Sequence, residues 1–167
     1  MIELKPLSHQ GVDAALDRAD HYRLLNEPVQ AESICLDVLE IEPDNQRALV
    51  TRVLALTDQF GQNLNRAFRE AKGLVPKLGS DYDRAYYWGI VCERRARTHL
   101  QTGAMGSGYM AYDWLRQAME SYDKAAESAP AGNEDSTLRW NACARVINRN
   151  PDVAPEPEQV GVPHLLE

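Results

Sequence analysis

The chain has 167 residues, 44% of them hydrophobic and 26% charged, with 25 acidic against 18 basic side chains and a formal net charge of -7. That length suits one domain with a continuous core. The acidic balance argues against nucleic acid and anionic membrane surfaces as partners. The absence of a long apolar run or a leader-like start makes the cytoplasm the expected location.

In chain order, residues 1–11 read as a lead-in, with Ser8 placed to cap a helix beginning near Gly11 or Val12. Ala15, Ala19 and Tyr22 then fall at steps of four and three and share one face of a helix. Asn26, Glu27 and Pro28 break it, and Pro28 or Val29 starts a second helix that buries Ala31, Cys35, Val38 and Leu39 before stopping at Pro43. Asp44 and Asn45 can cap a third helix carrying Leu49, Val53 and Leu56. Gly61, Gln62 and Asn63 make the next turn, and the partner helix carries Ala67, Ala71 and Leu74. Pro76 arrives early, which predicts that this helix is shortened or bent.

Ser80 and Asp83 fit a capping box opening a helix with Ala85, Trp88, Gly89 and Cys92. A glycine inside a helix costs about 1 kcal/mol against alanine, so Gly89 predicts a close helix–helix approach, placed near Ala118. Around residues 96–112 lies a surplus that includes Gly103, Gly106 and Gly108, expected to extend two helices and leave a mobile tip. The segment from Trp114 to Ala129 forms the second helix of that pair. A last helix, about Glu134 to Ile147, carries Ser136, Arg139, Trp140 and Cys143. Residues 149–167, rich in proline, read as a disordered tail.

Two helices share one spacing. Ala31, Cys35, Val38 and Pro43 stand at the same intervals as Ala118, Tyr122, Ala125 and Pro130. Leu49, Val53 and Leu56 lie 34 residues beyond Ala15, Ala19 and Tyr22, as Arg52 lies beyond Arg18, and Ala67, Ala71 and Leu74 lie 36 beyond Ala31, Cys35 and Val38. Small residues three or four places from bulkier ones let a neighbouring helix approach one face. This pattern resembles the tetratricopeptide repeat, with Ala85, Trp88, Gly89 and Cys92 matching its W-x2-L-G-x2-Y half, Gly89 at the family's glycine place, and a unit of about 34 residues. The resemblance covers residues 12–148. It implies an all-α fold, a tetratricopeptide-like superhelix of antiparallel helical hairpins with about seven helices, the last one capping the array.

Catalytic and metal motifs are missing from the sequence. The three glycines near residue 103 lack the strand and the GK[ST] or G-x-G-x-x-G continuation of a phosphate loop. Cys35, Cys92 and Cys143 lie far apart on apolar helix faces and read as buried free thiols, and the histidines are scattered. Neither an enzyme nor a cofactor is expected. Glu32 with Asp37, and Glu120 with Asp123, fall on polar faces and read as solvated charge. Arg94, Arg95 and Arg97 form the one dense basic cluster; a solvated face with partner contacts is the first reading and an anion site the alternative.

By the resemblance, the first helix of each hairpin lines a concave groove that holds a peptide or protein. Its expected contacts are Asp20, Arg23, Arg47, Leu54, Tyr86, Ile90, Glu93 and Arg94, with Asp13, Leu16, Val50, Thr57 and Asp83 beside them. The long hairpin adds Tyr109, Met110 and Tyr112, adaptable or amphipathic surfaces of the kind enriched at interfaces. Leu16, Asp20 and Thr51 occupy places where chaperone-binding members of the family hold a carboxylate, so that activity is not expected. The leading function is a non-enzymatic adaptor. The alternative is a self-assembling component of a larger complex, which leaves a homo-oligomer open.

Overall fold

A computed structural model describes residues 2–157 of the chain. Seven α-helices follow one another, with no strand among the described residues: α1 (Val12–Leu24), α2 (Pro28–Ile41), α3 (Gln46–Asp58), α4 (Phe60–Leu74), α5 (Asp81–Thr102), α6 (Ser107–Glu127) and α7 (Asp135–Arg149). Short connections make sequential neighbours pack as antiparallel hairpins, while α1 also touches α3 and α3 touches α5. No helix among the described residues is long and apolar enough to cross a membrane.

The boundaries follow local chemistry. Pro28 opens α2. The Asn45 side chain accepts from the Ala48 amide at 2.9 Å and starts α3. Ser80 Oγ accepts from the Asp83 amide at 2.9 Å and donates to Asp83 Oδ2 at 2.7 Å. Asn26 closes α1 with φ 59°, a conformation asparagine tolerates better than most side chains. Ser8 makes no such cap; a 3-10 turn, His9–Gly11, leads into α1 instead. Helix α4 breaks at Asn63 (φ -147°, ψ 63°) and gives way to a 3-10 turn, Val75–Lys77, at the early proline.

Small residues at the hairpin interfaces are fully enclosed. Ala31, Cys35 and Val38 of α2, Ala67 and Ala71 of α4, and Ala118, Tyr122 and Ala125 of α6 are all buried. Their neighbours form successive core clusters along the chain, from Val12, Leu16, Val38 and Ala48 at one end to Ile90, Cys92, Ala111, Leu115 and Cys143 at the other. The three cysteines are free and buried.

At the long hairpin, helices α5 and α6 have 22 and 21 residues, against 13 to 15 in the others, so the surplus lengthens both helices by roughly 10 Å. Only Gly103 to Gly106 turn the chain, the two glycines taking φ of 58° and 78°. Tyr112 is packed on the core that α5, α6 and α7 share, whereas Met105 is fully exposed and Met110 half exposed. The tail expectation also changes. After α7 the chain turns at Asn150, whose carbonyl accepts from the Val153 amide at 2.9 Å, and Val153 enters that same core with 3% exposure. A Cβ on Gly108, in the first turn of α6, would stand 2.1 Å from the Asp152 carbonyl oxygen, so the bare glycine is what lets this segment dock. The rest of the expected tail, residues 158–167, lies outside the described residues.

Candidate functional site

Side chains from α1, α3, α5 and α7 form a ladder of polar contacts across the face that these helices share. At one end, Arg47 Nη2 of α3 donates to Asp17 Oδ1 at 2.6 Å and Asp20 Oδ2 at 2.8 Å of α1, and Thr51 Oγ1 donates to Asp20 Oδ1 at 3.2 Å. Further along, Arg23 Nε of α1 donates to Asp58 Oδ2 at 2.9 Å, and Arg94 of α5 donates to the other Asp58 oxygen and to Thr57 Oγ1. The rising residue numbers on both α1 and α3 show that these two helices run parallel.

The ladder's third rung is centred on Glu93 of α5. Arg139 of α7 donates to its two oxygens at 3.1 and 3.2 Å, and Arg97 Nη2 stands 3.6 Å away. From α6, Tyr122 Oη donates to Glu93 Oε2 at 2.7 Å. Burial and then the Glu93 charge push the Tyr122 pKa far up, so the phenol stays a donor. Tyr86 stacks on Tyr82 with ring centroids 5.4 Å apart and planes 11° from parallel, and lies tilted on Tyr122 at 5.9 Å.

Several expected groove residues are therefore committed within the protein. Ile90 is 2% exposed and belongs to the core, as do Leu16 and Thr57, because each sits where two helices meet rather than on the open side. Glu93 is nearly enclosed, and Leu54 and Tyr86 pack partly against the α5–α6 core. Asp20, Arg23, Arg47 and Arg94 spend hydrogen bonds on neighbouring helices, which holds the face in shape. Tyr109, Met110 and Tyr112 lie near the far end of the long hairpin, apart from these rungs.

A second network joins α2, α3 and α4 and corrects the solvated reading of Glu32, which is 5% exposed. Arg66 holds both Glu32 oxygens in a two-pronged contact at 2.9 Å each, and Gln59 Nε2 donates to Oε2 at 2.7 Å. Arg52 Nη2 donates to Glu70 Oε2 at 2.8 Å and stands 4.0 Å from Glu32. Burial works to raise the Glu32 pKa, but the hydrogen bonds from Arg66 and Gln59 and the charges of Arg66 and Arg52 outweigh it and hold it below the usual range.

The basic cluster on α5 divides its labour. Arg95 lies over the rings of Phe68 at 4.2 Å and Trp114 at 4.9 Å, pinning α4 to α6 through cation–π contact rather than facing solvent. Arg94 is tied to Asp58, and Arg97 remains exposed. Arg94 and Arg97 border a polar hollow of about 370 Å³ with Asn26, Asp58, Thr98 and Gln101. A separate open apolar cleft of about 790 Å³ is lined by Val75, Pro76, Ala85 and Trp88, with Lys72 and Lys124 also in its lining. Among the described residues no group of three or more His, Cys, Asp or Glu side chains could hold a metal ion. Compared with protein-family models, curated proteins and solved structures, the chain has no significant match.

Proposed function

We propose that this chain is a non-enzymatic, tetratricopeptide-like scaffold of the cytoplasm that holds a peptide or protein partner on the face built by α1, α3, α5 and α7. The observation that supports this reading is the polar ladder on that face. It fixes helices from successive hairpins against one another before any partner arrives, so binding requires little further ordering. Three unpaired cysteines fit a reducing compartment. A partner recovered on the immobilised chain and then titrated in pure form tests the proposal by hydrogen exchange. Added protection should concentrate on α1, α3 and α5; protection confined to α2 and α4, or no saturable binding, would count against it.

Self-association at the tip of the long hairpin is the second reading. It is favoured by Leu100, Met105 and Met110, apolar side chains left open at that end. Sedimentation across a concentration series distinguishes the two: a monomer throughout removes the assembly reading, and a dimer lost in Met105→Ser supports it.

A further inference from the structure

Among the described residues, four guanidinium groups on the ladder face meet only two carboxylates. Arg23 and Arg94 share Asp58, while Arg97 and Arg139 share Glu93. The next acids on the face, Asp17 and Asp20, are taken up by Arg47 and Thr51. The carbonyl ends of α1 and α3 lie beside Arg23 and Asp58 and contribute partial negative charge, about half a unit each, which leaves roughly one positive charge without a counterion. This surplus sits in a chain whose formal net charge is -7, so it is local and not part of a general basic surface.

The surplus also has free donors. Arg97 makes no hydrogen bond among the described residues, its side chain is 62% exposed, and its contact with Glu93 is long at 3.6 Å. Its fork borders the same hollow as Thr98, Gln101 and Asn26, which can add neutral hydrogen bonds. Burial and the neighbouring guanidinium groups of Arg23, Arg139 and Arg97 push the Arg94 pKa down to about 10, the direction expected where positive charges crowd one another.

We infer that the hollow beside Arg94 and Arg97 receives carboxylate side chains of an acidic segment in the protein partner. The inference rests on the scaffold reading and specifies its partner chemistry. A planar fork with several free N–H groups matches a carboxylate in a two-pronged contact. The negative end of the ladder, at Asp17 and Asp20, gives the bound segment a direction: its acidic part lies toward α5 and α7 and is repelled from the start of α1.

The test uses the intact chain and a fluorescent poly-glutamate peptide, with a poly-lysine peptide of equal length and inorganic phosphate as comparison arms. Poly-glutamate should bind saturably at low salt and weaken as salt rises, and poly-lysine should not bind. Arg97→Glu should weaken poly-glutamate binding by tenfold or more, and Arg97→Gln by about tenfold, since a hydrogen bond to a charged group is worth about that factor. Lys124→Glu, which lines the separate apolar cleft and not this hollow, should leave it unchanged. Circular dichroism establishes that the variants are folded, which the exposure of Arg97 favours. Absence of poly-glutamate binding, or equal binding by Arg97→Glu, overturns the inference. So does displacement by phosphate at matched ionic strength, which would assign the hollow to a small anion. The scaffold reading fails separately, on the hydrogen-exchange result with the recovered partner.

Discussion

Gly89 of α5 and Tyr122 of α6 cannot both carry a side chain beyond the backbone at their point of contact: a Cβ on Gly89 would stand 2.5 Å from Tyr122 Cε1. One edge of the tyrosine ring lies against the bare backbone and its hydroxyl reaches past to Glu93, one turn further along α5. The glycine therefore admits Tyr122 rather than Ala118, and through Tyr122 it positions the central carboxylate of the ladder.

Substituting that glycine should move the ring. Gly89→Ala gains about 1 kcal/mol in helix propensity but forces Tyr122 away from Glu93, so a net loss of about 1–3 kcal/mol is expected. Adding Tyr122→Leu should recover part of the overpacking loss without restoring the hydrogen bond. Urea denaturation of the two single variants and the pair measures this, and strict additivity would show that the two positions do not interact.

Glu32 should behave as a structural ion. Removing it leaves Arg66 and Arg52 to share Glu70 alone and strips Gln59 of its acceptor, so Glu32→Ala should cost about 2–4 kcal/mol, near the range for a broken buried pair. The folded-state pKa of Glu32 is depressed, so its contribution is fully present above the unfolded value of about 4.3 and is lost as pH falls through the folded value. His99 titrates earlier. Burial, and then Arg95, lower its pKa, so the stability it contributes is present above about 6.5 and declines below that. Melting temperature should fall as pH drops below about 6.5 and again below about 4.3, and the lower fall should be smaller in Glu32→Gln, with Glu42, also held low, keeping part of it.

These two residues mark how far the sequence could be read. Ala31, Cys35 and Val38 announce a buried stripe because small and apolar residues recur at helical steps, and that local pattern needs no knowledge of the neighbours. Gly89 is legible for a similar reason, although its partner on α6 was displaced by one turn. Glu32 shows no such signal. Its partner Arg66 is 34 residues away, and along α2 it has the spacing of a solvated charge. The same holds for Arg23, Asp58 and Arg94, whose meeting depends on how successive hairpins stack. Register gave one hint, since Arg52 stands 34 residues beyond Arg18, but it could not say what either would touch. Val153 was hidden by composition, an isolated valine among prolines and acids.

The thiols offer a direct measure of enclosure. Cys35, Cys92 and Cys143 have their pKa values pushed up to about 12, chiefly by burial. A thiol-reactive dye at pH 8 should label none of them in the native chain and all three after denaturation, because thiolate is the reactive form. Rapid labelling of Cys143 alone would show that α7 opens from α6 in solution.

The long hairpin should divide into a dispensable tip and a required base. Met105 is fully exposed in the turn, so Met105→Ser should change the melting temperature little. Gly106 has φ of 78°, where a side chain costs roughly 1–2 kcal/mol, so Gly106→Ala should lower stability by about that amount. Gly108 belongs to the base, since any side chain there meets the Asp152 carbonyl and would lift Val153 out of the α5–α6–α7 core. Replacing residues 101–109 with a short glycine-serine turn removes that seat and the first turn of α6, so it should destabilise the chain rather than leave it intact. Truncation before Asp152 should reproduce much of the loss, since both changes free the same valine. If Gly108→Val and the truncation each melt like the parent, Val153 contributes nothing to the core. If both fall but their combination falls no further, the glycine acts through the docked segment.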